Sequence, residues 1–367
     1  MSIAASSAIR AGHWLLLCGS LSCGLLRTVR AGESSSTGYR LEPLSLPGAN
    51  GVVVLDYFAY DHSTGRLWVP ASNTGFVDVI NEPNDSVSQV GRFETGEIEL
   101  RGRRVVLGPT SVAIGDGVVY IGNRGDSSLC TIDKKTLRRE DCIAVAPRSA
   151  GPAAAPDGVV YVAAVRELWV TTGAPPLGIG SADKSIQVFD ARKSDHLKWK
   201  TKIPLDGSAE GYAVDNERGV FYTNLEEKGR TLVIDVRRHK VIAQWNPGAE
   251  DLQGLALDQK RRFLFVACGD HVVALDAAHD GRLLDSIQTG AGLDNIDYDP
   301  EQKLLYAAAS VPGRLTLAQV DDGGKFRLKA TVPTAKGARG VVAARGGRAY
   351  LIDPLGGRIL KLVRDTN

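Results

Sequence analysis

Between residues 210 and 245 the chain alternates short apolar runs with clusters of polar turn residues. Asn216-Glu217-Arg218-Gly219 separates the first two runs, residues 224–229 the next two, and Arg237-Arg238-His239-Lys240 the last two. Val, Ile, Tyr and Phe fill the runs, the side chains that suit a pleated, half-buried surface. The pattern predicts a four-stranded antiparallel meander. It recurs at residues 56–69, 110–121, 157–170, 253–266, 294–306 and 339–351. The spacing is roughly forty to fifty residues, the interval of propeller blades. One such sheet cannot bury both faces by itself, so blades stack radially around a channel. The expected fold is all-β, a seven-bladed β-propeller of four-stranded antiparallel blades.

The last copy has only three strands, at residues 341–344, 348–352 and 358–363. Residues 39–46 (YRLEPLSL) form a lone strand with no hairpin partner beside it in sequence. The N-terminal strand is therefore expected to join the last blade and close the ring, leaving no open edge. Two insertions break the repeat, residues 95–107 before the second blade and residues 172–184 within the third. In an up-and-down meander both emerge on the same face, at one mouth of the channel. Long loops on a rigid scaffold are common binding elements.

Composition supports one large domain: 367 residues, 41 Gly, 16 Pro, 43% hydrophobic, and no long helical periodicity. A net charge of +2 without a long basic run gives no footprint for nucleic acid. Residues 14–26 are apolar, preceded by Arg10 and followed by Val29-Arg30-Ala31, a small-x-small site. Residues 1–31 read as a signal peptide, too short to span a bilayer comfortably. Residues 32–38 follow as a Ser-rich flexible linker, and residues 39–367 as the propeller. The expected location is periplasmic or secreted, without a transmembrane segment in the mature chain. Lipoprotein attachment through Cys23 fits less well, because Ser20 stands where the usual Leu falls three residues before the cysteine.

Two of the five cysteines lie in that leader. Cys130 and Cys142 fall opposite each other if their hairpin folds about Thr136, within reach of a cross-strand disulfide that export would favour. Two half-buried thiols are the alternative. Cys268 reads as a packing residue.

The repeats resemble those of the YVTN-type, YncE-like periplasmic propellers. An aromatic-centred second strand precedes a third strand such as Leu232-Val233-Ile234-Asp235, Cys130-Thr131-Ile132-Asp133 or Val77-Asp78-Val79-Ile80. The signature itself is closest at Phe221-Tyr222-Thr223-Asn224 and looser at Tyr120-Ile121-Gly122-Asn123. The resemblance runs from Tyr39 to Val363 and implies the fold, but no shared catalytic constellation.

Hydrolase, phosphate-loop, dinucleotide and zinc-helix motifs are absent. The six histidines (His13, His62, His196, His239, His271, His279) are scattered and read as lone surface imidazoles. His239 is placed on the face opposite the insertions. Gly178-Ile179-Gly180 reads as loop flexibility, and Arg124-Gly125-Asp126 as a turn between strands.

Aligning the copies yields one constellation. The residue entering the innermost strand of each blade is Asp56, Thr110, Asp157, Glu210, Gln253, Asp294 and Arg339 in turn. This ring is expected at the channel mouth, with Asn123 and Asn224 opening onto it. Arg339 is expected to neutralise Asp294 or Asp56, leaving Glu210 without a partner in the ring. Oxygen ligands of this type suit Ca²⁺ or Mg²⁺, with Glu210 and Asp294 the candidate ligands. Plain lining of a solvated channel is the competing reading.

Two functions follow. One is an exported monomeric scaffold binding a small molecule or protein at the channel mouth. The other is a metal-assisted lactone or ester hydrolase of the gluconolactonase or lactonase propeller type. Thr110, Gln253 and Arg339 interrupt the ring that such an enzyme would want, and no histidine falls on it for a streptogramin-lyase-like site.

Overall fold

The computed structural model describes residues 38–100, 103–145, 155–172, 183–193 and 196–365. The leader (residues 1–31), nearly all of the linker and most of the third-blade insertion, including Gly178 and Gly180, lie outside the described residues. Seven four-stranded antiparallel sheets form a ring, with one additional two-stranded hairpin. Blade 4, for example, runs Ala209–Asp215, Val220–Leu225, Arg230–Asp235 and Lys240–Trp245, in sequence order from the channel outward.

Each interface between neighbouring blades holds one apolar cluster, and the seven clusters together complete the circle. The second strands supply the largest pieces. Trp68, Tyr120, Trp169, Phe221, Phe265, Tyr306 and Tyr350 are all essentially inaccessible to solvent, one from each blade. A large flat side chain at this position fills the wedge between two twisted sheets, the burial that drives blade stacking.

The N-terminal strand Tyr39–Ser45 pairs antiparallel with Arg358–Arg364, from Tyr39↔Arg364 to Ser45↔Arg358, as the outer strand of blade 7. The first insertion forms a hairpin, Gly96–Leu100 with Arg103–Leu107. It packs on the turn Ser72–Thr74 of blade 1, and the Gly108 N–H donates to Ser72 Oγ at 2.8 Å. This places it on the mouth face, as its position in the meander requires.

Cys130 and Cys142 are opposite residues of the outer hairpin of blade 2, and their sulfurs are joined at 2.05 Å. Cys268 is buried, and burial pushes its thiol up to about 12. His239 differs from its expected role as a lone surface imidazole. Its Nε2 lies 2.9 Å from Glu167 Oε2 of the preceding blade, beside the Trp169 ring. Glu167 also accepts from Trp169 Nε1 at 3.0 Å and Lys200 Nζ at 2.5 Å. The imidazole thus helps to satisfy a buried carboxylate at a blade interface, which a turn residue in sequence does not reveal.

Candidate site at the channel mouth

The innermost strands present alternate residues to the channel. In Ala209–Asp215, Glu210, Tyr212 and Val214 are partly accessible while the residues between them are buried. Glu210 is followed by Gly211, a bulge residue at φ 65° that pairs with nothing in the register between Glu210↔Asn224 and Tyr212↔Thr223. Only glycine accepts both that φ and that location, because a Cβ there would meet Gln253 O and Gly254 Cα at 2.7 Å. Arg339 is followed by the same device, Gly340 at φ 54°. The bulges turn the ring side chains toward the axis.

Five of the seven ring residues form one electrostatic group. Arg339 Nη1 lies 2.8 Å from Asp294 Oδ2 and its Nη2 donates to Leu55 O at 3.4 Å. Its guanidinium also acts on Asp56 and Glu210. A second arginine, Arg124, sits 3.6 Å from Asp157 Oδ1. Four carboxylates, Asp56, Asp157, Glu210 and Asp294, therefore face two guanidinium groups.

That ratio leaves negative charge in excess within a protein-walled bowl. Burial first, then the fields of Asp294 and Asp157 against those of Arg339 and Arg124, push the Asp56 carboxyl up to about 8. Asp157 is raised by burial, with Arg124 opposing. Glu210 is pushed well above the carboxylate range by burial and by Asp157 and Asp294. Carboxylates that share a site and lack enough counter-charge hold protons instead.

The floor of the bowl is Tyr57, which comes from blade 1 and reaches across the axis to blade 4. Its hydroxyl donates to Glu210 Oε1 at 2.6 Å and accepts the Gly211 N–H at 3.2 Å. Its ring stacks on Tyr212, with centroids 5.6 Å apart, and the Tyr212 hydroxyl donates to Val159 O. These two rings divide the channel into an acidic upper bowl and a lower chamber. Glu210, expected to be without a partner in the ring, has one from outside it.

The remaining candidates are placed differently. Thr110 is buried, and among the described residues its hydroxyl has no hydrogen-bond partner. Gln253 turns to the rim, donating to Asp251 Oδ1 at 3.2 Å and Glu226 Oε1 at 3.4 Å. Asn123 and Asn224 are buried rather than open to the mouth. Asn123 donates to Glu94 O and Asp126 Oδ1, and Asn224 clamps Gln253 O while accepting from Thr231. Among the described residues no three His, Cys, Asp or Glu side chains gather in a set that could hold a metal ion.

Sequence reasoning missed Tyr57 and Arg124. For Tyr57 the signal was available. The position after each ring residue is Tyr57, Ser111, Gly158, Gly211, Gly254, Asn295 and Gly340, one large residue in a column of small ones. Six small side chains leave the axis free for the seventh to fill. Arg124 was hidden in a turn tripeptide, since its approach to Asp157 depends on how blade 2 abuts blade 3.

Among the described residues no helix is long and apolar enough to cross a membrane. No family model matches the chain, and no curated protein matches it. Solved structures do: 1572 chains match, so the architecture is common and says little about activity. A chain in a mitotic checkpoint complex is 13% identical with a TM-score of 0.67, covering 94% of this chain and 100% of that one. A chain of the Kuenenia stuttgartiensis hydrazine synthase, also 13% identical with a TM-score of 0.67, covers 88% of this chain and 98% of its own length. At that identity the likeness establishes the propeller fold and nothing finer.

Proposed function

We propose that the protein is an exported binding propeller of the YVTN, YncE-like type, which takes a positively charged group of a small molecule or protein into the acidic bowl. The observation that carries this reading is the mismatch of four carboxylates with two guanidinium groups in a bowl floored by Tyr57. A cation entering the bowl supplies the missing counter-charge. Asp56, Asp157 and Glu210 then ionise around it, so binding releases protons and strengthens as pH rises toward about 8. The Cys130–Cys142 pairing supports export, because such bonds persist in oxidising compartments.

The test is a set of thermal melts of the mature chain with arginine amide, Ca²⁺ or Mg²⁺, for the wild type and Glu210→Gln. A ligand that binds only the folded state raises the melting temperature by mass action. The expected result is a shift with arginine amide that grows with pH and shrinks in Glu210→Gln. A shift with Ca²⁺ or Mg²⁺ alone, lost in Glu210→Gln, would favour the metal-assisted lactone or ester hydrolase, for which Asp294 must leave Arg339 to serve as a ligand. Curves unmoved by every cation at every pH would leave the ring as channel lining.

A further inference from the structure

On the Tyr212 side of the Tyr57–Tyr212 pair lies a second, largely open chamber of about 300 Å³. Its wall is unlike that of the bowl. Tyr161, Tyr212, Val214, Asn216, Leu255 and Leu257 line it from blades 3 to 5, together with Asp297 of blade 6. Tyr161, Val214 and Leu257 remain partly accessible, so apolar surface faces the open chamber instead of being packed away. Asp297 stands out in sequence as well. The equivalent positions in the other blades are Ala59, Ala113, Val160, Ala213, Ala256 and Val342, so six blades place a small apolar residue where one places a carboxylate.

The Asp297 carboxylate accepts the Tyr298 N–H and the Ala343 N–H, each at 2.8 Å. An ionised carboxylate has about four acceptor sites, so about half of its capacity remains for a ligand. Among the described residues the groups acting on it are those two N–H groups and the like charge of Asp299, with no cationic side chain. A buried carboxylate without a counter-ion is costly. Burial accordingly pushes Asp297 up to about 6.

We propose that the lower chamber is a second binding site, for a compact organic cation with an apolar body, the class of the aryl- and alkyl-ammonium ions. The ammonium meets Asp297, supplying the missing charge through a charge-assisted hydrogen bond. The apolar body lies on Val214, Leu255 and Leu257. Tyr161 presents an aromatic ring, the second kind of surface that attracts a cation. The volume sits at the small end of the range of about 300–1,000 Å³ for ligand pockets, which sets the size class. Inorganic cations gain nothing from the apolar wall, and anions are repelled by Asp297.

None of the seven ring residues lines the chamber, so each site is tested by its own variants. Phenethylamine is titrated into the full mature chain by calorimetry above pH 7, alongside 3-phenylpropionate as an anion of similar shape. The expected result is saturable binding of the amine only. Asp297→Asn should weaken it by about ten-fold or more, the loss of a hydrogen bond to a charged group. Leu257→Trp, which crowds the apolar side of the chamber, should also weaken binding about ten-fold or more, and Glu210→Gln in the bowl should leave it unchanged. Leu257→Trp keeps the test decisive should Asp297→Asn fail to fold. Absence of saturable amine binding at millimolar concentration overturns the proposal. So does binding unchanged by Leu257→Trp, or binding lost in Glu210→Gln but kept in Asp297→Asn, which would assign the amine to the bowl.

Discussion

Asp56 illustrates how far a single position departs from what its residue type suggests. Its carboxyl is raised to about 8 from an ordinary value of 3.8, chiefly by burial. In the unfolded chain the same group loses its proton near pH 4. Between those values the folded state holds more protons than the unfolded state, so this contribution to stability is complete below pH 4 and fades as pH climbs to 8. Asp56→Asn removes that dependence. The variant should melt higher than the wild type at pH 8, with the difference disappearing near pH 4, in melts across that range. An unchanged pH profile would mean that Asp56 ionises normally and that the bowl is wetter than its walls indicate. The ring positions were legible because the seven copies align on them. Their partners were not, since Tyr57 reaches Glu210 across 153 residues of sequence and Arg124 reaches Asp157 from a neighbouring blade. Asp297 was visible as an odd member of its column, but its apolar surroundings come from three other blades.

Elements were the most legible level, because each strand announces itself locally by alternation and by its flanking turn residues. The insertion before blade 2 shows the limit. Its length was evident, yet its pairing as a hairpin required knowing that residues 96–100 face residues 103–107. Two predictions belong here. Gly211→Ala introduces a Cβ 2.7 Å from backbone atoms at positive φ, so the inner strand of blade 4 must shift. The expected cost is about 1–3 kcal/mol in chemical denaturation, together with weaker binding at the bowl, because the same bulge aims Glu210. A neutral effect would show that the bulge tolerates a side chain. In blade 2, Cys130 and Cys142 close a loop of sequence separation 12 at the outer edge. Thiol titration of the denatured chain of residues 32–367 should find Cys268 alone, and Cys130→Ser with Cys142→Ser should cost about 2–3 kcal/mol. Titration of three thiols would remove the bond.

At the scale of the whole molecule, stability rests on a ring in which seven interfaces each bury one cluster, with no terminal blade to fray. The last blade is completed by residues more than three hundred positions apart: Tyr39–Ser45 is the outer strand for Arg358–Arg364. That strand also carries Tyr39 and Leu41 onto the cluster between blades 6 and 7, and Leu44 onto the cluster between blades 7 and 1. Removing it strips two interfaces and leaves Arg358–Arg364 as a free edge, open to pairing with another chain. Deleting residues 39–45 should therefore lower the melting temperature by roughly ten degrees or more and promote association, seen by light scattering. A synthetic peptide of residues 38–46 should restore part of the lost stability by adding back as a strand. An outer strand that only covered its own blade would behave differently, with a shift of a few degrees and no response to the peptide. That outcome would mean the ring is held by the blade interfaces alone and that its two ends need not be tied.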